Sequence, residues 1–222
     1  MQPLTLKVDS VQLSFGKRSI LQDVYLQCSK GEIVGLLGRN GSGKSSLLKI
    51  IFGSMDPGYK YVSIDGEYIE KGYVNHRIAY LPQHNYLPHG IKISRLAKAF
   101  IDEPFWDEFA KQEVYKKHNH KTTGQLSGGE LRMLETLMVV YSKADFILLD
   151  EPFTHISPVQ TEYFKPVIRD TAKRKGIIVT DHQYYNVLDV SDRLMILENG
   201  CTKPVNHIDE LVTYKYLSDV NQ

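Results

Sequence analysis

The residues with the clearest chemical potential in this 222-residue chain form one glycine-rich segment, GRNGSGKS, at positions 38–45. It fits the pattern G-x-x-x-x-G-K-[ST], in which glycines let the backbone fold tightly and turn its N–H groups towards phosphate. A lysine placed like Lys44 reaches the β- and γ-phosphates of a nucleotide, and a hydroxyl placed like Ser45 binds Mg²⁺. The residues expected to contact the nucleotide are Gly38, Asn40, Gly41, Ser42, Gly43, Lys44, Ser45 and Ser46. We call residues 38–45 the phosphate loop.

Two adjacent acids form a second candidate group. Residues 146–149, FILL, predict a buried strand, and Asp150 and Glu151 follow it directly. Because ligands of open parallel sheets bind at the carboxyl ends of the strands, both acids would face a ligand there. Asp150 is suited to holding Mg²⁺, and Glu151 can take a proton from an attacking water, which is worth about 10² to 10⁴ in rate. Two solvated acids would be the plainer interpretation in a chain without the phosphate loop.

The elements that position these groups alternate between strands and helices. Short apolar runs predict buried strands at 33–37, 78–81, 146–149, 177–180 and 194–197. Helices are predicted at 45–52 and 131–142, a looser alternation over 4–15 predicts partly exposed strands, and 61–69 predicts a hairpin turning at Asp65-Gly66. The alternation implies an α/β fold with a largely parallel sheet.

Residues 94–118 have a different character. Apolar residues at 96, 97, 100 and 101 have helical spacing, Pro104 interrupts them, and a second helix continues through 105–114. This pattern predicts a helical lobe inserted into the sheet domain. The expected organisation is one domain over 1–222, with its core at about 1–90 and 140–222 and the lobe at about 91–139.

Composition disfavours nucleic-acid binding, a cysteine-based metal or redox site, and a membrane-spanning segment. Lys and Arg total 27 against 26 acids, which disfavours nucleic-acid binding through bulk positive charge. Cys28 and Cys201 match no metal or redox spacing and are interpreted as the reduced thiols of a cytosolic protein. We expect no signal peptide, and no apolar run approaches the ~20 residues that span a bilayer.

A third motif narrows the class of nucleotide-binding protein. Residues 126–130, LSGGE, resemble the signature motif of ATP-binding cassette proteins and precede a predicted helix. Their small side chains, exposed N–H groups and helix N-terminus suit a phosphate as the phosphate loop does. A flexible Gly-Gly turn would explain Ser-Gly-Gly alone, but not its place between the phosphate loop and the acidic strand.

The resemblance runs from about residue 4 to at least residue 200 and implies roles for further residues. In this family Phe15 would stack on adenine, Gln83 would meet Mg²⁺ and the attacking water, and His182 would contact the γ-phosphate. The implied fold is a P-loop NTPase core with a mostly parallel sheet, an N-terminal antiparallel β subdomain and an inserted helical lobe. The implied cofactors are ATP and Mg²⁺.

The resemblance also implies partners. Two cassettes, identical or different, would pair head to tail, so that Ser127, Gly128 and Gly129 serve the ATP of the other subunit. Such a pair would power an integral membrane permease from the cytoplasmic face of the membrane, with no nucleic-acid partner. Two alternatives stay open: a soluble ATPase of the iron–sulfur assembly type, and a regulatory module that hydrolyses ATP weakly.

The chain departs from the family pattern at four positions. Ser157 stands where an aspartate is usual, and His155 where a small residue is usual. In the helix after the signature, Met133 replaces a common arginine and Glu135 a common alanine. We expect these changes to slow hydrolysis or alter coupling between the two sites without abolishing ATP binding.

Three other groups have simpler interpretations. The histidine-rich stretch His118-Asn119-His120 is expected to be a solvated linker, and Lys173-Arg174-Lys175 a solvated basic face. The aromatic residues Phe105, Trp106, Phe109 and Tyr86 are expected to pack the helical lobe, although some could line a groove for a membrane subunit.

Overall fold

The computed structural model describes residues 3–214 and residue 216. The strands are β1 (Thr5–Phe15), β2 (Arg18–Ser29), β3 (Ile33–Leu37), β4 (Tyr59–Ile64), β5 (Glu67–Tyr68), β6 (Ile78–Leu81), β7 (Phe146–Asp150), β8 (Gly176–Thr180), β9 (Arg193–Glu198) and β10 (Cys201–Val205). The helices are α1 (Lys44–Phe52), α2 (Ile93–Phe100), α3 (Trp106–Ala110), α4 (Glu113–His118), α5 (Gly128–Val140), α6 (Pro158–Ala172), α7 (Tyr184–Val190) and α8 (Glu210–Thr213). Short 3-10 turns lie at Val74–His76, Glu103–Phe105 and Thr123–Gln125.

The strands form one sheet in the order β5-β4-β1-β2-β10-β9-β3-β8-β7-β6. In the half of the sheet from β9 to β6, the strands β9, β3, β8, β7 and β6 run parallel to one another, and β10 pairs antiparallel with β9. Strands β5, β4, β1 and β2 pair antiparallel in the other half. The predicted α/β fold, with a mostly parallel core and an N-terminal antiparallel part, is confirmed.

The central parallel strands bury every residue, as their apolar runs predict. Because both faces of these strands are buried, their positions in the sheet are well defined. The loops that follow them lie at the carboxyl edge of the parallel strands. The phosphate loop follows β3, the two acids end β7, and His182 follows β8. Three of the predicted groups therefore reach the same edge of the sheet.

The inserted region has more breaks than the sequence predicts. The second expected helix is divided into α3 and α4, with a 3-10 turn at Glu103–Phe105 that begins around Pro104. Inside it, the Phe109 and Tyr115 rings lie 4.6 Å apart, and Trp106 packs on both. Trp106 and Phe109 pack within the lobe, as predicted. The Phe105 ring instead contacts Tyr141 and Lys175, which lie outside the expected lobe.

Two predictions of solvated surface are wrong. His118 is only 2% exposed and bonds to Glu130, although Asn119 and His120 are more accessible. Lys175 is also 2% exposed, while its neighbours Lys173 and Arg174 stay exposed. Its ammonium lies 4.5 Å from the centre of the Phe105 ring and donates to a backbone carbonyl, and burial lowers its pKa to about 7.

Candidate functional site

The phosphate loop connects β3 to α1 with the geometry its glycines allow. Gly43 precedes α1 at φ +106°, and a Cβ there would lie 2.9 Å from Ile20, so only glycine fits without strain. The Lys44 ammonium donates to the carbonyls of Gly38 at 2.6 Å and Arg39 at 3.2 Å. Burial lowers the pKa of Lys44, and the carboxylates of Glu151 and Asp150 oppose that shift. The loop thus holds a cation beside two acids.

The first acid is tied to the phosphate loop. Asp150 is buried, and its Oδ1 accepts a hydrogen bond from the Ser45 hydroxyl at 3.0 Å while its Oδ2 accepts one from Tyr80 at 2.9 Å. Burial raises the pKa of Asp150, and both hydrogen bonds lower it. A carboxylate and a hydroxyl at contact distance form the hard oxygen donor set that suits Mg²⁺. The donor atoms present therefore fit the predicted metal ion.

The second acid lies in a cluster with His182. The Glu151 Oε2 atom is 3.2 Å from the Thr154 hydroxyl and 3.6 Å from His182 Nδ1. Thr154 also lies 3.3 Å from His182 Nδ1, so one hydroxyl contacts both residues. Thr154 was not among the residues predicted from sequence, since its role depends on two loops meeting.

Asp181 joins those two loops. Its fully buried carboxylate accepts hydrogen bonds from the backbone N–H groups of Phe153 and Gln183, at 3.1 Å and 2.9 Å. Burial raises the pKa of Asp181, and these two hydrogen bonds oppose the shift. The loop after Glu151 and the loop carrying His182 are thereby held together.

A cavity of about 560 Å³ brings most of the predicted residues together. Ten of them line it, namely Phe15, Asn40, Gly41, Gly43, Lys44, Ser45, Ser46, Gln83, Glu151 and His182. Phe15 is 57% exposed, which leaves its ring open to stacking. Arg18 and Ile20 also line the cavity and were not predicted. Ser42 lines a neighbouring cavity, and Asp150 lies behind Ser45.

The signature segment, residues 126–130, does not line that cavity. Ser127 caps the N-terminus of α5: its hydroxyl accepts from the Glu130 N–H, and Glu130 accepts from the Ser127 N–H at 3.1 Å. This reciprocal capping box orders the start of the helix. A Cβ on Gly129 would lie 3.1 Å from the His155 carbonyl oxygen, so the signature contacts the loop after Glu151.

A buried arginine on the signature helix reaches the site from behind. Arg132 is 1% exposed and donates to the carbonyl oxygens of Pro82 at 2.7 Å, Asp150 at 2.7 Å and Glu151 at 2.9 Å. One side chain therefore ties α5 to the loop that carries Gln83 and to the backbone of both acids at the end of β7. Sequence reasoning noted only that position 133 lacks the family arginine.

Glu135 completes this connection. It is fully buried, and its Oε1 accepts from the backbone N–H groups of Tyr86 at 2.8 Å and Leu87 at 3.1 Å. Its Oε2 lies 3.7 Å from Arg132 Nη1. Burial raises the pKa of Glu135, against those two hydrogen bonds and the Arg132 charge. Glu135, which stands where the family often has alanine, therefore provides a buried carboxylate that binds the backbone of the segment after Gln83.

The altered loop after Glu151 is locally well formed. The Ser157 hydroxyl caps α6 by accepting a hydrogen bond from the Gln160 N–H. The Gln160 side-chain oxygen in turn accepts one from the Ser157 N–H at 2.8 Å. His155 has a left-handed backbone, φ +67°, a conformation that few residues other than glycine adopt. Serine and aspartate are both good caps, so the helix tolerates either.

The fold and cavity define the class as an α/β P-loop ATPase. The sequence model of the ABC transporter family matches residues 21–154, and this chain belongs to that family. It is 31% identical to the lipopolysaccharide export system ATP-binding protein LptB of Haemophilus influenzae, over 88% of this chain and 87% of that protein. The LptB of Acidithiobacillus ferridurans is 30% identical, over 96% and 97% of the two chains.

Solved structures share the fold. One described as the structure of the ATP binding subunit of an ABC transporter has a TM-score of 0.79 at 22% identity, covering 96% of this chain and 93% of that one. The chain is thus an ATP-binding ABC protein and an ATPase. Across residues 3–214 and 216, no helix has the length and apolarity needed to cross a membrane.

Proposed function

We propose that this chain binds MgATP between two cassettes paired head to tail, hydrolyses it there, and powers transport through a separate membrane permease. The observation that carries the proposal is the division of the predicted residues. Ten of them line one cavity, while the signature segment lies on another element, outside that cavity. The cassette would consist of a core at about 1–90 and 140–222 and a helical lobe at about 91–139, bound at the cytoplasmic face of the membrane.

The predicted residues that line the cavity have roles that fit their placement. Phe15 stacks on adenine, and the N–H groups of the phosphate loop and the N-terminus of α1 bind the phosphates. Lys44 reaches the β- and γ-phosphates. Ser45, Asp150 and Gln83 would hold Mg²⁺, which would supply positive charge opposite the negative oxygens of the triphosphate.

Proton transfer falls to the Glu151 cluster. Glu151 accepts a proton from the attacking water as the water oxygen bonds to the γ-phosphorus and the bond from that phosphorus to the β–γ bridging oxygen breaks, which releases ADP and phosphate. His182 contacts the γ-phosphate, and Thr154, within 3.3 Å of both groups, orients them. Ser127, Gly128 and Gly129 of the second cassette would close the site and bind the same γ-phosphate.

An apolar groove supports the link to a permease. It has a volume of about 800 Å³ and lies between the parallel half of the sheet and α2, with Tyr73, Tyr86 and Phe100 along it. Pro82 and Tyr80 also line it, and Tyr80 bonds to Asp150 while Pro82 precedes Gln83. An occupant of the groove would therefore contact residues that touch the metal ligands.

We expect Phe100→Glu to release the chain from its native membranes. Placing an unpaired charge in an apolar contact weakens it by about tenfold or more. The measurement is the fraction of tagged protein that sediments with washed membranes from native cells. Val159→Glu is the control, since Val159 is 81% exposed on α6, away from the groove. Wild-type protein that never sediments would instead support a soluble ATPase of the assembly type.

We expect Ser157→Asp to raise the steady-state ATPase rate by about two- to tenfold, the scale of one added charge near a solvated site. Serine supplies no fixed negative charge, whereas the family aspartate does. Serine and aspartate both cap helices well, so the free energy of unfolding of Ser157→Asp should equal that of the wild type. Ser157→Ala, which removes the cap without adding charge, is the control and should not raise the rate. A rate for Ser157→Asp that is unchanged or lower contradicts the idea.

A further inference from the structure

The buried side chain of His118 contacts the signature segment. His118 is the last residue of α4, and its Nε2 lies 2.8 Å from Glu130 Oε1. Lys117 reaches the same oxygen at 3.1 Å, but its side chain is 70% exposed. Of the two donors, His118 is therefore the one held in place by packing, although the Glu130 side chain is 24% exposed.

The other carboxylate oxygen of Glu130 faces the start of α5. Oε2 accepts from the Ser127 N–H at 3.1 Å and from the Ser127 hydroxyl at 3.0 Å. Glu130 is ionised, because these and neighbouring hydrogen bonds, the backbone one first, lower its pKa to about 2. An ionised carboxylate can only accept, so His118 Nε2 carries the proton of the shared hydrogen bond. The carboxylate thus bridges α4 to Ser127.

This bridge bears on phosphate binding at the start of α5. A carboxylate three residues from the helix N-terminus repels an arriving phosphate, and donors on its far oxygen draw its charge away from that end. Without the buried donor, Oε1 keeps only the exposed Lys117 as a partner, so the carboxylate and the Ser127 hydroxyl that bonds to it are held less firmly. The Nδ1 atom of His118 has no hydrogen-bond partner within the described residues, so among them the packed ring donates to Glu130 alone.

We propose that His118 is a positioning residue for the signature, which fixes Glu130 and through it presents Ser127 to the nucleotide held by a second copy of the chain. The proposal rests on the head-to-tail function proposed above. It assigns a role to α4, which lies outside the cavity around Lys44, in completing the site of the opposite subunit.

Two polar variants of similar size separate positioning from general stability. The amide nitrogen of glutamine in His118→Gln can take the place of Nε2 and donate to Glu130. The shorter asparagine of His118→Asn places its amide near Nδ1 and cannot reach. His120→Ala, at an exposed site two residues on, is the matched surface control.

Three quantities are measured for each variant: the ATP-driven dimerisation constant in a Glu151→Gln background, the steady-state kcat, and ATP binding to the monomer. We expect His118→Asn to weaken dimerisation and lower kcat by about tenfold, the scale of one hydrogen bond to a charged group. For His118→Gln and His120→Ala, the dimerisation constant and kcat should stay within about twofold of the wild-type values. ATP binding to the monomer should not change, because it uses Lys44 and not the signature.

Equal losses in His118→Asn and His118→Gln would overturn the proposal, as would loss of ATP binding by the monomer. A second test adds His118→Asn to Glu130→Gln, where the charged bridge is already gone, and the added loss should be under about twofold. Additive losses would show that His118 acts independently of Glu130. If the wild-type chain does not dimerise with ATP, the head-to-tail function is refuted. That outcome differs from those that refute the role of His118, which appear only in the variants.

Discussion

Replacing Glu151 with glutamine is expected to lower the steady-state ATPase rate by at least about 100-fold, the usual scale of a general base. Glutamine keeps the shape of the side chain and its contact with Thr154, but it cannot take the proton of the attacking water. The phosphate loop is untouched, so ATP should bind with wild-type affinity. The bound ATP should then persist and hold two cassettes together.

The measurement combines phosphate release with size-exclusion chromatography in MgATP. Thr154→Val is the control, since it removes the hydroxyl that contacts Glu151 and His182 yet leaves the carboxylate in place. We expect it to lose no more than about tenfold, the order of one hydrogen bond to a charged group. A Glu151→Gln variant that retains more than a tenth of the activity, or forms no ATP-bound dimer, would show that another group is the base.

Replacing Arg132 with methionine is expected to lower the free energy of unfolding by about 3–5 kcal/mol, the cost of breaking a buried ion pair from one side. Methionine fills a similar volume but leaves the buried Glu135 carboxylate without its cation. It also removes the donors to Pro82, Asp150 and Glu151. We therefore expect a lower kcat as well, since both acids lose their support from α5.

The free energies are measured by urea unfolding. The double variant Arg132→Met/Glu135→Gln is the matched control, because a neutral amide oxygen can still accept from Tyr86 and Leu87. It should recover at least half of the lost stability, since no unpaired charge remains. A loss below about 1 kcal/mol in the single variant, or a double variant less stable than the single one, would contradict the buried-pair account.

Features set by local sequence were predictable. The phosphate loop, the strand-end acids and the signature each lie next to the element that the sequence pattern predicted, because glycine geometry and apolar runs act over a few residues. Strands β2 and β10 were not predicted. In β2 the buried residues Leu21 and Val24 are separated by a register shift against β1, which breaks the simple alternation.

Features set by tertiary contact were missed. No role was predicted for Arg132, and Glu135 was noted only as a departure from the family pattern. Their partners lie in the segment around Gln83 and at the end of β7, far away in the sequence. Lys175 belongs to a basic run typical of a solvated helix end, yet Phe105 from a distant segment covers it. A single sequence carries no signal for such contacts, since they depend on elements far apart in the chain.

The central claim is that each ATP site combines the phosphate loop of one chain with the signature of another. The most direct test mixes two inactive variants, Lys44→Ala and Gly128→Asp. A Cβ on Gly128 meets no atom within 4 Å, so the aspartate fits the fold while opposing phosphate. Each variant alone should be inactive, and an equal mixture should recover about a quarter of wild-type activity, since half of the dimers hold one complete site. No recovery in the mixture, or activity in either variant alone, would contradict the shared site.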